Sequence, residues 1–442
     1  MLNTCVPEPC WAAFVAIDWG DRKHCWKLCP AGDEKRCESG ELLHTPEALN
    51  DWAGSLRQRF GDRPIAVCLE QSRGPLTCAL LKYSFLHLFP VHPATSARYR
   101  QAFRPSGPKS DPGDTSLLLD LLLHHRDQLR QLDPDTPQTR ELQTLVEDRR
   151  GFIDHRTRFS NSLTAVLKRY FPQALELIDN IDSPMGCDLL ERWPSLQDLQ
   201  SARQDSLRRF FTAHHSRSEA RIASRIETIR TAVPVTDDPA ELSTGTLKVV
   251  QLVAVLKQFN TAIQEYDNRI EAAVAAHPET RLFQTLPGAG AALLPRLVAA
   301  FGTQRHRFDR AVDLASYCGI APVTQQSGKS SLIRYRRSCP KFLRQTFHEY
   351  AQHSLARSAW ARAYYQQQLA RNKQHNAIVR ALAYKWIRIL FRCWKDQVPY
   401  DESVFLAALR DRGSNLSNVL PPDTEVVWQS AAGFSRLALK KT

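Results

Sequence analysis

The chain has 442 residues and a hydrophobic fraction of 43%, too long for one core and too apolar for wholesale disorder, so two or more folded domains are expected. Its 59 Lys and Arg against 46 Asp and Glu leave a formal net charge of +13, which favours polyanionic partners, because each phosphate neutralised by a basic side chain releases a condensed counterion. No apolar run reaches the roughly 18 residues that span a bilayer, the start lacks the basic-then-apolar pattern of a secretory signal, and the 11 scattered cysteines read as reduced thiols of a cytoplasmic protein rather than a disulfide framework.

Up to about residue 125 the pattern is mixed α/β. FVAID (14–18) is an apolar run ending in an acid, HCWKL (24–28) follows a short turn, and KRCESGELL supplies a third strand. TPEALNDWAGSLRQRF reads as a helix with Thr45 as N-cap and Pro46 at its first position. IAVCLE (65–70) is another buried strand ending in an acid, GPLTCALLKYSF is helical, HLFPVHP is a strand and TSARYRQAF a short helix. Three strands, then helix, strand, helix, strand, helix, suit an RNase H-like sheet with working residues at its strand ends. Cys5, Cys10, Cys25, Cys29 and Cys37, with His24 and His44, lack the paired C-x-x-C spacing of a zinc site, and most of them fall in the predicted strands.

The segment 126–277 is polar and helical. Leu142, Leu145, Arg149, Phe152, Arg156, Phe159, Leu163, Val166 and Tyr170 alternate spacings of three and four, a heptad seam broken by two arginines. The seam suits a coiled coil between chains and a helix packed on its own domain equally well. A second helical stretch covers 245–277. The third part, 278–400, opens with LFQTLPGAGAALLPRLVAAFG, a helix-hairpin-helix-like turn between two apolar segments that can present backbone N–H groups to a phosphate. A loop, APVTQQSGKSSLIRYRRSCPKFLR, leads into helices where aromatics and arginines interleave, and 401–442 reads as a peripheral tail. Four regions are therefore expected: 1–125, 126–277, 278–400 and the tail.

Four carboxylates stand out. Asp18 and Glu70 end two strands, while Asp111 and Asp114 sit three apart at the start of the helix DPGDTSLLLDLLL. Neighbouring strand ends bring two acids together, and an i, i+3 pair shares a helix face. Phosphodiester chemistry uses such clusters to hold two divalent ions about 3.5–4 Å apart, and hard cations such as Mg2+ or Mn2+ prefer carboxylate ligands. Taken alone, Asp111 is a natural N-cap and Asp114 is favoured by the helix dipole. Glu70 at the end of an apolar strand is harder to explain without a partner. Further along, Arg334, Arg336, Arg337, Lys341 and Arg344 are candidate phosphate contacts, and Tyr335 among them can stack on a base. Arg371, Lys373, His375 and Arg380 form another basic stretch.

With these residues in view, the sequence resembles the IS110 family of insertion-sequence transposases, relatives of the Piv-type DNA invertases. FVAIDWG, CLEQSRGPL and KSDPGD match the family's DEDD signature in a RuvC-like domain. RRGFIDHRTRFSNSLTAVLKRYFPQAL resembles its connecting helical segment, and LPGAGAALLPRLVAAFG with RFDRAVDLASYCGIAPVTQQSGKS its carboxy-terminal transposase domain. The resemblance implies recombination of donor and target double-stranded DNA by a RuvC-like metal site, with Asp18, Glu70, Asp111 and Asp114 as ligands, together with a serine nucleophile at Ser327. It also implies a homo-oligomer, dimer or tetramer, and a structured noncoding guide RNA encoded by the element, in a nucleoid-associated bacterial or archaeal protein. Many relatives carry a doubled serine and doubled glycine before the lysine where this chain has Gln326-Ser327-Gly328-Lys329, and Ser330 and Ser331 lie close by. Chemically, a flanking glycine allows close approach of DNA, and Lys329 can offset charge in the transition state. The expected function is a transposase, with a RuvC-like structure-specific endonuclease as runner-up and a non-catalytic nucleic-acid binding protein as a third class.

Overall fold

The computed structural model describes residues 10–413 apart from 34, 71, 104–110, 215–217, 329 and 335. The chain divides into two compact units, Met1–Pro134 and Asp135–Thr442.

The first unit is a five-stranded sheet between helices. In chain order it runs β1 (Ala13–Asp18), β2 (Lys23–Pro30), β3 (Glu38–Leu43), α1 (Pro46–Phe60), β4 (Ile65–Leu69), α2 (Pro75–Leu80), β5 (Leu86–Pro90), α3 (Pro93–Phe103) and α4 (Asp111–His125). The spatial order is β3-β2-β1-β4-β5, with the first three strands antiparallel and β1, β4 and β5 parallel. Strand alternation sorts the core. Val15, Ile17, Ile65, Val67 and Leu69 face α1 and α2, packing on Trp52, Leu56, Leu76 and Leu80. Ala16, Cys29, Ala66 and Cys68 face α4, whose Leu118, Leu119 and Leu122 cover them. Because both faces are covered, β1 and β4 are apolar along their length, as parallel strands in such layers are. Helix α1 starts as its sequence dictates, with Thr45 Oγ1 accepting from Ala48 N at 3.2 Å and Pro46 at the first position.

One expectation is corrected here. Cys29 and Cys37 form a disulfide, because the link from β2 to β3 folds back and leaves their Cα atoms 4.4 Å apart. Cys10, Cys68, Cys78, Cys187, Cys318, Cys339 and Cys393 are free thiols, and among the described residues no group of three or more His, Cys, Asp or Glu side chains converges closely enough to hold a metal ion.

The second unit is helical and built on two long helices, α5 (Pro137–Tyr170) and, after five short ones, α11 (Pro239–Ala276). The short helices are α6 (Gln173–Leu177), α7 (Pro184–Arg192), α8 (Leu196–Ser201), α9 (Gln204–Ala213) and α10 (Glu219–Thr231). Helices α5 and α11 run antiparallel: Leu163, Val166 and Tyr170 share a core with Val249, Val253 and Leu256, while Leu142 and Val146 share another with Ile270 and Val274. The heptad seam is thus filled within the chain. Phe152 packs on Phe259 and Tyr266, and Phe159 on Phe259. Its two arginines find partners across the pair, Arg149 on Asp267 at 2.5 Å and Arg156 on Asn260 at 3.1 Å, which sets the register.

The remainder comprises α12 (Thr280–Phe283), α13 (Gly290–Phe301), α14 (Ala311–Tyr317), β6 (Val323–Ser327), β7 (Ser330–Arg334), α15 (Lys341–Ser354), α16 (Ala359–Leu369), α17 (His375–Asp396) and α18 (Glu402–Asp411). The aromatics interleaved with arginines turn inward. Trp360, Trp386 and Trp394 are fully buried, and each indole N–H has an acceptor: Tyr400 Oη, Ser354 Oγ and the Gly302 carbonyl. Residues 400–411 dock on this core, with Tyr400 buried and Glu402 accepting from Ser358 Oγ and Ala359 N. Among the described residues no helix is long and apolar enough to cross a membrane.

Candidate active site

The parallel pairing of β1 and β4 sets Ile17 opposite Leu69, so Asp18 and Glu70 stand at the same end of adjacent strands. By alternation they lie on the side of Ala16 and Cys68, the side that α4 covers. Asp111 opens α4, and its side chain lies outside the described residues. Asp114, one turn on, is buried. The turn after Asp18 is pinned by a histidine pair. The Gly20 N–H donates to His24 Nδ1 at 3.2 Å, so His24 carries its proton on Nε2 and donates it to His44 Nδ1 at 2.9 Å. Burial, and next the neighbouring His44, hold the His24 pKa down at about 4, which keeps the ring neutral.

Helix α3 supplies what the sequence reading missed. Arg100 Nη2 reaches Asp114 Oδ1 at 2.5 Å, and the Ser96 hydroxyl donates to Glu70 Oε1. The Tyr99 hydroxyl donates to Asp120, and burial, ahead of that bond, pushes its pKa up to about 12. The only signal in the sequence is the i, i+3, i+4 spacing of Ser96, Tyr99 and Arg100, which marks one helix face but no partner. The donor set fits a hard divalent cation in kind, since the acids offer oxygens alone. In this arrangement Glu70 is held by Ser96 and Asp114 by Arg100.

The expected loop around Ser327 is a β-hairpin. Ser327 pairs with Ser330 as the last rung of β6 and β7, with Gly328 following Ser327 at the turn. Gly328 has φ +54°, the left-handed value that primed hairpin turns need. Ser331 pairs with Gln326, one rung back. The hairpin is exposed almost throughout, including Leu332 and Ile333 at 50% and 71% exposure. Arg334 ends β7, Arg337 and Lys341 are exposed, and Arg336 and Arg344 are half-buried at the base, where Arg344 Nη1 donates to the Arg336 carbonyl at 3.4 Å. Nearby, burial, then Arg380 and Arg344, hold the His348 pKa down at about 4. Lys329 and Tyr335 lie outside the described residues, and Arg371, Lys373 and His375 form an exposed stretch after α16.

Both regions fall within matches to known families. A family model described as a transposase, the DEDD type of IS110 elements, matches residues 15–172, and one described as the transposase IS116/IS110/IS902 family matches 280–366. The chain is 27% identical over 426 residues to a Streptomyces coelicolor protein named as the "Mini-circle putative transposase for IS117", covering 91% of this chain and 98% of the relative. It is 27% identical over 404 residues to a protein of insertion element IS110 from the same organism, covering 88% and 95%. A protein of insertion element IS900 from Mycobacterium paratuberculosis is 25% identical over 415 residues, covering 91% and 99%. With two models of one family on residues 15–172 and 280–366 and relatives matched nearly end to end, the chain belongs to the IS110 family of insertion-element transposases.

Proposed function

We propose that this transposase cuts and rejoins DNA with two sets of residues: Asp18, Glu70, Asp111 and Asp114 as ligands of Mg2+ or Mn2+, and Ser327 as the nucleophile. The observation that carries this is the parallel pairing of β1 with β4, which ends both strands at an acid, Asp18 and Glu70, on the face of the sheet against which α4, the bearer of Asp114, packs. The order β3-β2-β1-β4-β5 supports an RNase H-like, RuvC-type assignment of the same unit. A divalent ion bound there would stabilise negative charge as it builds on the phosphate oxygens.

The chain's own groups do the rest. Ser327 stands beside a tight turn on an exposed hairpin, where its hydroxyl can approach a strand without steric cover. Its oxygen attacks phosphorus and loses its proton to a nearby base, a phosphoserine ester forms, and the displaced strand leaves as a hydroxyl. Attack by a hydroxyl of the second strand reverses the step, restores the serine and joins the new partner, so no ATP is consumed. Arg334, Arg336, Arg337, Lys341 and Arg344, together with Lys329, hold phosphates around it, and Tyr335 stacks on a base. Double-stranded donor and target DNA are the substrates, an element-encoded noncoding RNA guides them, and a homo-oligomer completes the assembly. In the helix-hairpin-helix-like turn Pro287-Gly288-Ala289-Gly290, where the Ala289 N–H donates to the Leu286 carbonyl, the backbone N–H groups of Gly288 and Gly290 serve as phosphate donors.

Recombination between plasmids carrying the element with its flanks tests the proposal. Asp18→Ala and Ser327→Ala should both abolish joining. Cleavage without joining by Ser327→Ala would instead favour a nuclease that hydrolyses through the acids alone. Sequencing of RNA that co-purifies with the protein tests the guide: it should map beside the gene, and random cellular RNA would remove it.

A further inference from the structure

One face of α3 carries Ser96, Tyr99 and Arg100, and each side chain ends on an acid: Glu70, Asp120 and Asp114 respectively. Two of those acids are the proposed metal ligands. The Asp114 side chain is only 8% exposed and the Arg100 side chain 23%, so the ion pair is largely withdrawn from water. A carboxylate this buried is costly without a counter-charge. The guanidinium meets that need, and its own Nε is buried with no partner among the described residues.

We infer that Arg100 is a positioning residue of the acid site: it occupies Asp114 as a resident cation and must withdraw before a divalent ion binds. This rests on the proposed role of Asp18, Glu70 and Asp114 as ligands. Two cations seeking one carboxylate exclude each other, because their repulsion is little screened where water is scarce. Arg100 therefore holds Asp114 oriented while no ion is present, and ion binding exchanges one positive charge for another. Once displaced, the guanidinium stays tethered to α3 beside the same acids. Its planar fork there matches two oxygens of a phosphodiester, whereas it has no second carboxylate to pair with in the contacts described. Arg100 thus links ion binding to the arrival of the DNA backbone, since the phosphate takes the arginine that the ion releases.

The test needs no turnover. Mn2+ is titrated into metal-free full-length protein and the free ion is counted by its electron paramagnetic resonance signal. Arg100→Gln should bind Mn2+ about tenfold more tightly than wild type, a difference one ion pair can make. Arg100→Lys, which keeps the charge and loses the fork, should fall between them, and it carries the test if the glutamine variant does not fold. Asp114→Asn should weaken binding in either background. Unchanged or weaker Mn2+ binding in both Arg100 variants, with Asp114→Asn still weakening it, would overturn the role of Arg100 and leave the acid site standing. No bound Mn2+ in any of these proteins would overturn both.

Discussion

Ile17 and Leu69 lie opposite each other across the parallel pair of β1 and β4, and the residue that follows each is an acid, Asp18 and Glu70. Neither acid is needed to fill the core on its own side of the sheet, which Ala16, Ala66 and Cys68 already pack with Leu118, Leu119 and Leu122. Replacing Asp18 or Glu70 with Ala should therefore leave circular dichroism and DNA binding intact while strand cleavage falls below about one-hundredth of wild type. Full cleavage by both variants would remove the acids from the reaction.

The α5–α11 pair should answer to packing rather than to association. Leu163 is fully buried between them, so Leu163→Ala should cost about 2–5 kcal/mol in urea denaturation. Light scattering on the same variant should show no loss of subunits, because the seam it lines is already filled from within the chain by Val249, Val253 and Leu256. A lighter particle with unchanged denaturation would place the seam between chains.

Gly288 in the Pro-Gly-Ala-Gly turn has φ +81°, and a Cβ there would stand 2.8 Å from the His353 carbonyl oxygen. Gly288→Ala should cost about 1–3 kcal/mol, since both the left-handed backbone and the clash with α15 must be accommodated. Equilibrium denaturation measures it, and a neutral result would show that the turn shifts freely.

Stability should fall as pH drops from about 6.5 to about 4. His24 and His348 both have folded pKa values held down at about 4, His24 by burial and His44, His348 by burial and the arginines Arg380 and Arg344. A histidine whose folded pKa lies below its unfolded value takes up its proton more readily when unfolded, so its contribution is complete above the unfolded pKa of about 6.5 and is lost towards the folded one. Thermal melts across this window should show the loss, smaller in His24→Gln. A His24→Gln melt as pH-sensitive as wild type would exclude that ring as a source.

The sheet was legible because burial on both sides makes β1 and β4 continuous apolar runs, and the acids at their ends interrupt that pattern. The hairpin was not. Its strands are exposed on both faces, so VTQQS and SSLIR show no apolar alternation, and only Gly328 after the first of them signals a turn. Arg100 stayed hidden because its partner is 14 positions on in a different helix, and an ion pair between helices leaves no local period. The Cys29–Cys37 bridge went unread for a related reason: the fold of the β2–β3 link, rather than the spacing, brings the two together. The seam of α5 was visible as a heptad, yet a heptad alone does not say whose helix fills it.

The most direct measurement is the fate of Ser327 on a nicked suicide DNA substrate that lets the freed strand diffuse away. The account predicts a protein–DNA adduct that peptide mass spectrometry locates on Ser327. Ser327→Ala should lose the adduct while still binding nucleic acid through Arg334, Arg336 and Arg337. Ser330→Ala and Ser331→Ala should keep it. Efficient cleavage by Ser327→Ala with no adduct on any serine would contradict the account.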